Sequence, residues 1–316
     1  MRIFFLTLLS SLLFYGTSAY AANATSPKPL APITLQDGIV FAPMKFAVIG
    51  KYNYYDQHRI YTGASQDDPG FGKRRRTAHA GQLTFRAGIF EDFEALLTAT
   101  AFNKELKREN AKGMTDTSDV QGLGDIQIMG RWQALSQKKG DPLSLALGLG
   151  LEIPTGDSDH RNSFGPQPYM GPFLQLSTGS WNPKATVSAT RVFGRSRVDG
   201  QLMYTLNTEG RHDMEKGDLF QYSLGYGFAL NRYFTAGLAM NGVHQEKNTQ
   251  QVSPGVVKKD YNSGCDMIFL GPELSCKIEP LNMVLGLAAP IPVYADMGGS
   301  QPVEDYRIVA KMAVQF

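Results

Sequence analysis

The chain is short of sulfur, short of charge, and lacks any long apolar helix. Only two cysteines, Cys265 and Cys276, occur in its 316 residues. On one extended strand, eleven residues at about 3.3 Å each would hold them roughly 35 Å apart. They can pair only if Gly271-Pro272 folds the segment back. Charged residues make up 19% of the chain and nearly cancel, at +2. That balance gives no case for nucleic acid as a partner. No segment beyond the first residues offers 18 continuous apolar positions, so no helix is expected to cross a bilayer. If the protein spans a membrane, a closed barrel is the remaining architecture. The five histidines, His58, His79, His160, His212 and His244, are scattered. None has a fixed ligand spacing, and no cofactor or metal is expected.

The sequence opens "MRIFFLTLLSSLLFYGTSAYAANA". Arg2 gives a positive start, Ile3 to Tyr15 an apolar run, and Ala19-Tyr20-Ala21 the small residues of a cleavage site. Residues 1–21 therefore read as a cleaved signal peptide, which takes the mature protein out of the cytoplasm. Residues 22–43 are Pro-rich and without period. They read as a short periplasmic lead-in, with the barrel itself over 44–316.

From there, apolar residues recur at every second position, the mark of a strand with two unlike faces. "LSLALGLGLEI" is the cleanest case. Leu143, Leu145, Leu147, Leu149, Leu151 and Ile153 line one face, opposite Ser144, Ala146, Gly148, Gly150 and Glu152. Twelve such segments can be counted, the last ending at Phe316, and fourteen are possible. Short turns such as Glu91-Asp92, "FGRSRVD", Asn231-Arg232 and "IEPLN" alternate with long polar loops, as in barrels with short periplasmic turns. Even parity follows if both termini are periplasmic. "PYMGPFLQLSTG" would break parity as a strand. Pro168 and Pro172 place it in a loop or in an outward extension of a strand.

A period of two alone does not distinguish a soluble sandwich from a membrane barrel. Strand length, the Gly, Ser, Thr and Gln of the second face, and aromatics near strand ends (Tyr54, Tyr55, Phe90, Phe93, Phe193, Tyr233, Phe234) decide for the barrel. The expected fold is an all-β, antiparallel, up-and-down transmembrane barrel in the outer membrane of a Gram-negative bacterium. Trp132 and Trp181 read as interface anchors. The run Lys73 to Arg76 reads as a solvated loop, or as a loop meeting lipopolysaccharide phosphates. "PTGD" reads as a polar turn in which Asp157 caps or, with Asp159 and His160, meets a cation.

Four segments carry a family resemblance. They are "GLGDIQIMGRWQAL" (Gly122 to Leu135), "LALGLGLEIPTGD" (Leu145 to Asp157), "STGSWNP" (Ser177 to Pro183) and "PVYADMGGSQPVEDYRIVAKMAVQF" (Pro292 to Phe316). In order and spacing the chain resembles the outer-membrane transporters grouped as the meta-pathway phenol-degradation-like family. It departs at "CKIEP", where an aromatic strand end is expected. The resemblance implies passage of aromatic or other hydrophobic compounds. Family knowledge also makes Phe316 the signal that the outer-membrane assembly machinery recognises.

Arg86, Asp125, Arg131, Glu152, Arg307 and Lys311 fall on the inward rows. They are the expected lumen and selectivity residues, or else they simply pair across the lumen. The expected function is a passive, non-enzymatic channel for small hydrophobic or aromatic solutes. Two alternatives are a structural or surface-interaction barrel and a membrane-embedded hydrolase using His79 near Ser65 or His160 near Ser158 and Asp159. Outer-membrane lipid, lipopolysaccharide and the assembly machinery are the other expected partners.

Overall fold

The computed structural model describes residues 27–67, 74–109, 113–161, 172–253 and 256–316. The expected signal peptide lies outside them. Strands form where the two-residue period runs. In chain order they are β1 (Phe46–Gly63), β2 (Ser65–Gln66), β3 (Arg74–Phe90), β4 (Phe93–Glu109), β5 (Thr115–Leu123), β6 (Ile126–Leu135), β7 (Ser144–Ile153) and β8 (Asn182–Phe193). They continue as β9 (Ser196–Thr205), β10 (Met214–Glu215), β11 (Leu219–Ala229), β12 (Phe234–Gln245), β13 (Thr249–Ser253), β14 (Val256–Lys259), β15 (Cys265–Ile278), β16 (Met283–Ala288) and β17 (Ile291–Gln315).

Antiparallel pairing carries the wall full circle. β5 and β6 pair with successive halves of β4 and form one stave, interrupted at Gly124-Asp125. β16 and the start of β17 likewise share β15, with a break at Ala289-Pro290. β17 then reverses at Gly298-Gly299, and its second half pairs with β1 to close the sheet. Counted so, the wall is a twelve-stranded closed antiparallel barrel, and each expected segment supplies one stave. Backbone bonds between Phe46 and Phe316, at 3.2 and 2.9 Å, pin one end of the closing seam.

Several expected boundaries move. β1, β3 and β4 run to 18, 17 and 17 residues, well beyond the roughly 9–11 that a bilayer crossing needs. Arg74–Arg76 therefore lie on β3, not in a loop; Lys73 is outside the described residues. Polar strand residues look like loop in sequence, yet hairpins keep pairing once both faces can be wetted. The "FGRSRVD" turn shrinks to Gly194-Arg195, because β9 begins at Ser196. Of "PYMGPFLQLSTG", the described part from Pro172 is a loop with one short helical turn at Pro172–Leu174, not a stave. Both cysteines are free and lie on β15, which passes through Gly271-Pro272 without folding back.

Burial is inverted relative to a water-soluble fold. Outward Leu149 is 74% exposed and Leu83 57%, whereas inward Arg131, Glu94 and Ser188 are 0% exposed. Lipid is the only solvent that suits that outer face. Aromatics ring both ends of the apolar band. Phe90, Phe93, Trp132, Phe193 and Phe234 lie at the short-turn end, and Tyr52, Tyr204, Tyr294 and Tyr306 lie nearer the long loops. Tyr55 departs from expectation. It faces the lumen, its ring 4.6 Å from the Arg307 guanidinium. Leu149 sits mid-strand on β7, so Leu149→Arg is expected to cost about 2–4 kcal/mol of folding stability. A urea titration of the barrel refolded into vesicles measures this. A midpoint equal to that of the unaltered chain would place Leu149 outside the hydrocarbon.

Candidate functional site: the barrel lumen and its inner strap

Residues 30–45 form no strand; 30–41 lie inside the barrel and the exposed 42–45 lead into β1. Pro29, Pro32 and Pro43 deny this segment a regular ladder, since proline has no amide donor. Alternate amides are met by inward side chains of the wall. The Ile33 and Thr34 amides donate to Glu273 at 2.9 and 3.0 Å, and the Gln36 amide to Gln201 at 3.0 Å. The Gly38 amide donates to Thr190 at 2.8 Å, Val40 to Gln133 at 2.7 Å, and Phe41 to Glu94 at 2.8 Å. Carbonyls of the same segment accept from the wall: Pro32 from Lys311 at 2.7 Å, Asp37 from Arg131, and Ile39 from Arg86. The strap thus crosses from β15 past β9, β8, β6 and β4 before entering β1. Glycine permits the closest approach: a Cβ on Gly88 would stand 2.0 Å from the Ala42 carbonyl oxygen. The expected lead-in, residues 22–43, thus contains this strap from Leu30 onward.

An ionic cluster locks the strap in place. Glu94 accepts from Arg86 at 2.8 Å and from Arg131 at 2.6 Å. Across the lumen, Arg197 pairs with Asp199 at 2.6 Å, and Thr190 donates to the same carboxylate at 2.6 Å. The wall thus contributes three arginines and two carboxylates. Asp37 of the strap completes the charge balance, 3.6 Å from both Arg86 and Arg197. Buried charges need such pairing to be tolerated. The Phe41 ring also lies under the Arg86 guanidinium, at 4.1 Å.

At the long-loop end a second element enters the mouth. Leu174 and Leu176 are buried against Val120, with Phe102, Leu106 and Phe173 around them. Phe173 lies under Arg76 at 5.0 Å, and Lys104 donates to the Gln175 carbonyl at 2.7 Å. Asp125, at the break between β5 and β6, accepts from the Gly156 amide at 3.0 Å and from Ser177 at 2.9 Å. Between Thr34 of the strap and the inward faces of β1, β9, β11, β12, β15 and β17 remains a cavity of about 130 Å³, lined partly by Lys51, Gln221, Phe269 and Arg307.

All six lumen candidates are thereby placed. Arg86 and Arg131 hold the strap through Glu94 and backbone carbonyls. Lys311 holds it at Pro32. Asp125 anchors the inward loop. Glu152 pairs with Lys184 at 2.6 Å, and Arg307 with Glu304 at 2.8 Å. Asp37, Glu94, Arg197 and Glu273 were missed. The signal for the three carboxylates was the surplus of arginine on the inward rows, which carboxylates from elsewhere had to meet.

The hydrolase arrangements do not assemble. His79 points outward, its Nδ1 2.7 Å from the Tyr52 hydroxyl. Tyr54 stands opposite it, whereas Ser65 pairs with Thr62, roughly 25 Å further along β1. His160 has its Nε2 3.6 Å from Asp157, and Asp159 pairs with Arg211, so "PTGD" opens a polar turn. Asp56, His58 and Asp305 cluster near the long-loop end, but Arg75 and Arg59 already occupy the carboxylates at 2.6 and 2.5 Å.

A closed wall with a lipid-facing exterior, aromatic rings at both edges and a polar interior defines an outer-membrane β-barrel. More narrowly, the chain belongs to the family described as "Putative MetA-pathway of phenol degradation", which matches residues 67–291. Its backbone is similar to the crystal structure of the COG4313 outer membrane channel from Pseudomonas putida F1, with a TM-score of 0.67 at 12% identity. The match covers 90% of this chain and 100% of that one. The β domain of the Bordetella autotransporter BrkA aligns with a TM-score of 0.44 at 10% identity, covering 85% of this chain and all of the other. The transport unit of the autotransporter AIDA-I from Escherichia coli gives 0.43 at 10%, covering 90% and 93%. No curated protein matches the chain by sequence.

Proposed function

We propose that the barrel is a passive outer-membrane channel for small hydrophobic or aromatic compounds. The observation that carries this reading is the cavity of about 130 Å³ inside the barrel, between Thr34 of the strap and the wall. A cavity of about 150 Å³ is enough to hold benzene, so this space is close to the size of one aromatic ring and adds polar side chains around it. Phe269 and Val309, 1% and 2% exposed, give it an apolar flank. The family's association with phenol degradation supports the same solute class. The strap, tied to β4, β6, β8, β9 and β15, narrows the lumen beside this cavity, so transport is expected to be slow and selective, unlike that of an open porin.

The test is entry of phenol into liposomes carrying the purified barrel, against liposomes carrying an unrelated barrel of similar size. Faster entry of phenol, with no matching rise for glucose, is the expected result. Equal phenol entry in both preparations would remove the proposal.

A further inference from the structure

The cavity is lined by a lysine that, among the described residues, makes no ion pair, with Glu273 as the opposite charge in its surroundings. Lys51 stands on the inward row of β1, directly opposite Lys311 of β17. Like charges facing one another across a strand pair destabilise it. Lys311 is relieved by the Pro32 carbonyl at 2.7 Å. Among the described residues Lys51 has neither a hydrogen bond nor an ion pair, and it lines the cavity. The carboxylates nearby are committed elsewhere. Glu273 accepts three bonds from Ile33 and Thr34 of the strap, and Glu304 is taken by both arms of Arg307. Arg307 is further enclosed between the rings of Tyr55 and Phe269, at 4.6 and 4.7 Å. The cavity therefore sets Lys51, without an ion pair, in a largely polar lining that also carries the apolar side chains of Phe269, Val309 and Met203. Gln221 and Asn53 add polar side chains to the same lining.

We infer that this cavity is a binding site for a small aromatic carboxylate, with the ring against Phe269 and Val309 and the carboxylate on the Lys51 ammonium. The inference rests on the channel reading for its physiological sense and narrows the solute from aromatic compounds to their acids. A neutral ring fills the cavity but leaves the Lys51–Lys311 repulsion in place. An inorganic anion relieves the repulsion but leaves the apolar flank empty. A benzoate-like ion does both. Its ammonium–carboxylate contact is a charge-assisted hydrogen bond, the strong kind.

The experiment is calorimetric binding of benzoate, benzyl alcohol and acetate to the full-length barrel in detergent, with Lys51→Met and Lys51→Arg alongside. Lys51→Met removes an unpaired charge, so folding is expected to survive; the heat-dependent shift in gel mobility checks this. Benzoate is expected to bind the unaltered chain more tightly than either other probe. Lys51→Met is expected to weaken benzoate about tenfold or more, the loss of one charged hydrogen bond. Benzyl alcohol should be unchanged and Lys51→Arg should retain benzoate. Unaltered benzoate affinity in Lys51→Met, an equal loss for benzyl alcohol, or no benzoate binding at all would overturn the inference. Phenol flux into liposomes separates the two claims. Flux without Lys51-dependent benzoate binding defeats this site alone, while Lys51-dependent binding without flux defeats the channel and leaves the site standing.

Discussion

Deleting residues 28–41 is expected to raise single-channel conductance several-fold and to make the pore anion-selective. The strap is the main obstruction in the short-turn half of the lumen. It is held by side chains of β4, β6, β8, β9 and β15, and the staves bond one another independently of it. Its removal leaves Ala42 to Lys45, including the Met44–Gly88 contact at 3.1 Å, to lead into β1. The wall closes through β17 and β1, so the barrel should still assemble. At about twelve strands a lumen is wide enough for ions once side chains alone line it. The selectivity follows from charge. Without Asp37, the arginines Arg86, Arg131 and Arg197 face only Glu94 and Asp199. A ring of surplus positive charge favours anions. Planar-bilayer recording in a potassium chloride gradient reads both quantities. Conductance equal to that of the intact barrel would show that the inward loop at Leu174 and Leu176 is the true barrier. A larger but unselective current would contradict the charge balance assigned to Asp37. Asp37→Asn is the milder companion. It should leave the strap in place and shift the reversal potential less.

The wall was legible because its physics is local. A two-residue period, small residues on one face and aromatics near strand ends are properties of single strands, and each stave could be read by itself. Leu143 to Ile153 needed no neighbour to reveal its two faces. The strap was not legible, because nothing in residues 30–45 repeats. Its amides bond to side chains 53 to 240 residues away, such as Glu94 and Glu273. Its apolar residues were the overlooked hint. Ile33, Leu35 and Val40, all at most 8% exposed, have no reason to stand in a segment that only leads elsewhere. The site was legible in half. The inward direction of Arg86, Arg131, Glu152, Arg307 and Lys311 follows from parity, but their partners do not. Lys51 shows the limit of parity. It lies on the polar row of "KFAVIGKYNYY", and only the placement of Glu273 and Glu304 against other donors marks it as unpaired. Tyr55 is the opposite case. Its aromatic character suggested the membrane edge, while its odd position on β1 puts it beside Arg307.

Replacing Glu94 by leucine is expected to destabilise the barrel more than any single change on its outer face. Glu94 is fully buried and is the acceptor for Arg86, Arg131 and the Phe41 amide. Its loss leaves two guanidinium groups near one another with only Asp37 to share, and one strap amide unmet. Removing one member of a buried ion pair costs about 3–5 kcal/mol, because the remaining charge is stranded. Glu94→Gln keeps an acceptor for Phe41 and one arginine but loses the charge, so its effect should be intermediate. Glu94→Leu combined with Arg131→Leu is the decisive variant. The second substitution removes the stranded charge and fills the same space, and pairs replaced by apolar residues of similar volume regain most of the stability. The measurement is the urea midpoint for refolding into detergent micelles, with conductance recorded on the same preparations. Glu94→Leu should also loosen the strap at Phe41 and raise the frequency of open events, whereas the double variant should recover stability without fully recovering closure, since Phe41 still lacks its acceptor. If the double variant is no more stable than Glu94→Leu, the cost lies in packing around Phe41 and Arg86, and the ionic account of the strap is wrong.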